Sequence, residues 1–143
     1  MATLRDLTKR MNAVSERIEV AASNKVKEVV TVMVNHLAYH TPVDTSQALS
    51  NWQAAINSPN LTTVPAHVPG MLGYTMTASA QESVARAANI VKIKQPGESV
   101  YISNNLDYIR RLENGGWSKQ PGGMMAGAIM LGRRKAKTKL EGI

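Results

Sequence analysis

Apolar residues recur at steps of three and four from Leu4 to Leu37. Leu4, Leu7, Met11, Val14, Ile18, Ala22, Val26, Val29, Met33 and Leu37 fall on one stripe, and Arg5, Lys9, Glu16, Glu19, Lys27 and Glu28 lie off it. This pattern predicts a single amphipathic helix over residues 3 to 40. No Pro or Gly interrupts it. At 1.5 Å per residue it would run about 55 Å. That is longer than a domain of this size needs to cover its own core, so part of the stripe is expected to pack on another subunit. A break near Ser23-Asn24 into two helices is the alternative.

Thr41-Pro42 ends this helix, because the residue before a proline is pushed out of the α region. Asp44 then reads as an N-cap, with Gln47 three residues on completing a capping box. A second helix is expected from about Thr45 to Asn57, with Leu49, Trp52 and Ile56 as its buried face. Residues 58 to 77 hold Pro59, Pro65, Pro69, Gly70 and Gly73 and read as a long irregular stretch. A third helix is expected from about Ser79 to Lys92, burying Val84, Ala87, Ala88 and Val91.

Gln95-Pro96-Gly97-Glu98 is a turn. Residues 99 to 103, Ser-Val-Tyr-Ile-Ser, alternate and are rich in β-formers, so they predict a strand. Asn105 is placed to cap a short helix from Leu106 to Glu113, and Asn114-Gly115-Gly116 to end it. A Gly-containing loop to Gly123 precedes an apolar segment from Met124 to Leu131. The chain then turns basic.

The 143 residues suit one domain, 43% of them hydrophobic, with no Phe, two Trp and four Tyr. The division expected is a single domain over 1–132 and a basic C-terminal tail over 133–143. The absence of Cys excludes disulfides, zinc thiolates and thiol nucleophiles. Met1 to Asp6 contains no apolar run of the kind that opens a secretory signal. The net charge of +7 points to polyanionic surroundings, either nucleic acid or an acidic partner surface. Arg133, Arg134, Lys135, Lys137 and Lys139 supply much of it. They carry no interleaved aromatics, so any grip on DNA would be electrostatic and salt-sensitive.

His36 and His40 share a helix face, but Leu37 follows His36 where the zinc-protease motif needs Glu. No metal is expected. The Gly115–Gly123 loop holds Lys119 without the Gly-Lys-Ser/Thr order of a phosphate loop, and no cofactor is expected. Glu98, Asp107 and Glu113 are scattered carboxylates. A small hydrolase built on His36, His40 or Glu113 would lack a motif.

Three segments together resemble one known family. Thr41-Pro42-Val43-Asp44-Thr45 with Trp52 downstream is similar to the "TPVDTG…W" junction of the tail-completion and neck proteins of tailed bacteriophages. Val64 to Gly70 resembles a loop of some members. Tyr101-Ile102-Ser103-Asn104-Asn105, then Tyr108, Leu112-Glu113, Gly115, Ser118, Gln120-Pro121 and Gly123-Met124, resembles its "ISNN", "YxxxLExG" and "SxQAPxGM" series. The match runs from about residue 30 to 125. Ser46 stands where the family has Gly, and the Ala between Gln120 and Pro121 is missing.

The resemblance implies an α+β fold, with a long N-terminal helix and further helices on a small, mostly antiparallel sheet. It implies a non-enzymatic virion protein made in the bacterial cytoplasm. Its partners would be copies of itself in a sixfold ring and the neighbouring neck, connector or tail-tube proteins, with non-specific contact to packaged DNA. It assigns structural roles to Asp44 as a helix cap, to Trp52 and Tyr108 as core anchors, to Asn104 and Asn105 at the strand-to-helix corner, and to Gly115 and Gly123 in turns. Thr41, Pro42, Glu113 and Gln120 complete the motif. A basic DNA-binding module acting through residues 133 to 139 is the alternative function.

Overall fold

A computed structural model describes residues 3–115 and 122–142. Helix α1 spans Leu4–His40 without a break. Thr3 opens it with a capping box: the Thr3 side chain accepts from Asp6 N–H, and the Asp6 carboxylate accepts from Thr3 N–H at 2.9 Å. Thr41 closes it, donating its backbone N–H to Leu37 O at 3.1 Å. Among the described residues, α2 (Gln47–Ser50), β1 (Gln53–Ile56), α3 (Met76–Lys92), β2 (Val100–Ser103), α4 (Ile109–Glu113) and α5 (Met124–Ala136) follow in order.

The fold is α+β, with a long N-terminal helix and a two-stranded antiparallel sheet. Gln53 pairs with Ser103 and Ile56 with Val100. The expected second helix from Thr45 to Asn57 is therefore wrong in its second half. It stops after one turn, and residues 53–56 become the strand that β2 needs as a partner. Trp52 and Ala54 then alternate with Gln53 as buried positions, a period of two rather than 3.6.

The C-terminal half of α1 is the central strut. On one side Val30 and Val34 meet Ala54, Ala87 and Val91 from β1 and α3. On another, Leu37 meets Trp52, Met124 and Ala128. A third cluster joins Ala38, Val43, Leu49 and Ala80. In α3 the buried positions are Ser79, Ala80, Ser83, Ala87 and Val91. Ala88, expected inside, is exposed, because the inward face carries the two serines instead.

Helix α5 lies close against α1, with Met124 beside Leu37 and Lys135 reaching Glu28 at 3.8 Å, so the two run antiparallel. The approach is close because α5 offers no side chain at two contacts. A Cβ on Gly127 would stand 2.5 Å from His36 Nε2, and one on Gly132 would stand 2.7 Å from Met33 Sδ. The expected boundary between an apolar segment and a basic tail falls inside α5: Arg133, Arg134 and Lys135 form its last turn. Cations there favour the helix C-terminus.

One end of α1 is left bare. Residues 7 to 20 are all exposed, so the amphipathic stripe is covered only from Ala21 onward.

Candidate functional site

The resemblance-bearing segments come together around the C-terminal end of α1. Thr41 is buried and spends its hydroxyl twice. It donates to Leu37 O and accepts from Trp52 Nε1–H at 2.7 Å. A buried indole N–H needs such an acceptor. Pro42 is buried next to it.

Asp44 does not cap α2, contrary to the expectation. The N-cap position is Ser46, which has φ +69 and makes no side-chain cap. That left-handed turn re-aims the chain and leaves Asp44 outside the helix, so Gln47 completes no capping box. Asp44 instead accepts from Leu72 N–H through Oδ1 at 2.8 Å, and its carbonyl accepts from Gly73 N–H at 2.8 Å. It pins the Met71–Tyr74 turn. Asp44→Ala should therefore cost about 1 kcal/mol, the usual net worth of one hydrogen bond. The loss should appear first as faster hydrogen exchange at Leu72. Unchanged exchange there together with a destabilised α2 would restore the capping role.

Asn104 donates to Ala48 O at 2.9 Å and accepts from Leu106 N–H at 3.2 Å, tying the end of β2 to α2. Asn105 caps no helix, because α4 starts only at Ile109 and its N-cap position, Tyr108, makes no side-chain bond. Asn105 donates to Asn60 O at 2.6 Å and holds the loop beyond β1. Tyr108 is 40% exposed, so it is not the core anchor expected; α4 is short and amphipathic and turns Ile109 and Leu112 inward instead. Partial burial raises the Tyr108 phenol pKa. Tyr108, Pro42, Asp44, Arg111 and Leu112 line a groove of about 340 Å³.

Glu113 is the cap of α5. Its carboxylate accepts from Met125 N–H at 2.8 Å and Ala126 N–H at 3.1 Å, and its backbone carbonyl accepts from Gly123 N–H at 2.8 Å. A carboxylate on the free amides of a helix start is favoured by both hydrogen bonding and the dipole. Gly115 and Gly123 have φ +81 and +87, angles that glycine adopts without steric cost. Gln120 lies outside the described residues.

Sequence reasoning missed the polar stitching of the long loop. Asn51, fully buried, donates to Gln47 O and Val64 O and accepts from Val64 N–H, each at 2.8 Å. Ser50 Oγ accepts from His67 N–H, and Ser79 Oγ accepts from Val68 N–H, both at 3.0 Å. The one available signal was Ser79 and Ser83 sitting in line with Ala87 and Val91, polar residues on a buried stripe.

His36 and His40 stack with ring centroids 4.0 Å apart, and His40 Nδ1 lies 2.9 Å from His36 O. Among the described residues no group of three or more His, Cys, Asp or Glu is placed to hold a metal. Burial, and next the charge of His40, lower the His36 pKa below the ordinary value of about 6.5. Burial and Arg86 lower that of His67, against smaller opposing effects of Glu82 and Ser50. The unfolded chain then takes protons first. This contribution to stability is whole above about pH 6.5 and is lost as pH falls toward the depressed folded values. Thermal melting should show a midpoint that drops between pH 7 and 5. His36→Gln with His67→Gln should flatten that slope, and an unaltered slope would assign it to other groups.

The basic residues split in two. Lys135 is half-buried against Glu28, and Lys25 donates to Thr138 Oγ1 at 2.6 Å, so this end of the chain is fastened to α1. Arg133, Arg134, Lys137 and Lys139 are exposed. No helix among the described residues is long and apolar enough to cross a membrane. No protein-family model, curated protein or solved structure matches the chain.

Proposed function

We propose that the chain is a structural protein of a tailed-phage virion, forming a ring in the neck or at the head-proximal end of the tail. In this reading it is not an enzyme and holds no cofactor. Its partners are copies of itself and the proteins above and below. The carrying observation is convergence. Residues that carry the resemblance are fixed by hydrogen bonds spanning 11 to 56 residues: Trp52 to Thr41, Asn104 to Ala48 in α2, and Glu113 to the start of α5. Ser46 adds support, since the position where the family has Gly is a left-handed one, φ +69.

A phage deleted for this protein should make capsid and tail proteins but no infectious particles, with heads and tails unjoined in electron micrographs. Joined, infectious virions from the deletion would refute the assignment. The second reading, a DNA-binding module, rests on exposed Arg133, Arg134, Lys137 and Lys139 at one end of α5. It requires the isolated protein to bind duplex DNA with an affinity that falls steeply as salt rises.

A further inference from the structure

We propose that the bare N-terminal half of α1 is a docking arm for an acidic amphipathic helix of another protein. Leu4, Leu7, Met11, Val14 and Ile18 are between 44% and 83% exposed. They follow one another at alternating steps of three and four, the a/d seam of a coiled coil. The same spacing continues to Ala21 and Lys25, which are buried. There the chain's own end covers the helix, with Thr138 on Lys25. An external helix on the arm would extend the track that α5 already occupies.

Charge selects the occupant. Arg10 and Arg17 stand at successive positions along one flank of the seam, opposite Thr8 and Ser15 on the other. Neither arginine makes an ion pair among the described residues. The arm's acids, Asp6, Glu16 and Glu19, fall on the outward positions. Flank residues of a coiled coil set the choice of partner through such charges. A second copy fits badly. Antiparallel arms would set Arg10 against Arg17, and parallel arms would bring two basic α5 ends together. A membrane surface fits badly too, because the seam is narrow and the arm has no aromatic residue. An acidic helix satisfies both the seam and its flank. This inference does not depend on the virion assignment, and each can fail alone.

The test uses the full chain and two labelled synthetic peptides of about three heptads, with Leu at a and d and either Glu or Lys at the flanks. The Glu peptide should bind about tenfold more tightly than the Lys peptide, a difference of about 1.4 kcal/mol. Met11→Asp with Val14→Asp should abolish binding while circular dichroism shows the fold intact, since both residues are exposed. Arg10→Glu with Arg17→Glu should reverse the preference. Any of four results would overturn the proposal: no peptide binding, binding that survives Met11→Asp with Val14→Asp, sedimentation of the chain as a dimer that these substitutions dissolve, or binding only to anionic phosphatidylglycerol vesicles.

Discussion

Trp52→Ala is expected to destabilise the domain by about 3–5 kcal/mol, the usual cost of truncating a buried aromatic. Trp52 is 5% exposed and packs with Leu37, Met124 and Ala128, so it joins β1 to both long packing surfaces of α1 and α5. In a chain with no Phe, few side chains are large enough to fill the space it leaves. The substitution also removes the donor at Thr41 Oγ1. Thr41→Val keeps the volume, leaves the indole N–H unpaired and also removes the hydroxyl's bond to Leu37 O, at about 1–3 kcal/mol. Denaturant midpoints of the two variants measure both. A Trp52→Ala midpoint near that of the parent would remove Trp52 from the core.

Asn51→Ala should follow, at about 2–3 kcal/mol, because a buried side chain that answers both backbone groups of Val64 is lost. The residue has two tasks. It closes α2 through Gln47 O, and it clamps the irregular segment over β1. Its loss should loosen residues 61 to 68 before the rest of the domain unfolds. Limited proteolysis should cut there first in the variant and not in the parent. Cooperative loss with no early cleavage would show that Ser50 and Ser79 hold the loop without it.

The candidate site was partly legible. Thr41, Trp52, Asn104 and Glu113 were singled out, but not the bonds they make, because hydrogen bonds spanning 11 to 56 residues leave no local signal. Asp44 shows how a local motif misleads. Asp-x-x-Gln fits a capping box only if the helix starts at residue 45, and the left-handed turn at Ser46 delays that start. The caps of α5 and of the loop came from outside their own elements, from Glu113, 12 residues before Met125, and Asn51, 13 before Val64.

By itself the sequence predicted a helix along residues 4 to 40 from uninterrupted steps of three and four, but left open a break near Ser23-Asn24 that the continuous α1 rules out. It likewise determined the strand at residues 100 to 103, the helix ending at Lys92 and the breaks at Pro42, Pro96 and Gly123. Tertiary structure decided the rest. Ala-rich Gln53–Ile56 became a strand, because the edge of β2 required hydrogen-bond partners and local propensity differs by well under one kilocalorie per residue. Which half of α1 is covered was also decided there: periodicity marks an apolar face, but only the reach of α3 and α5 determines where that face stops being buried.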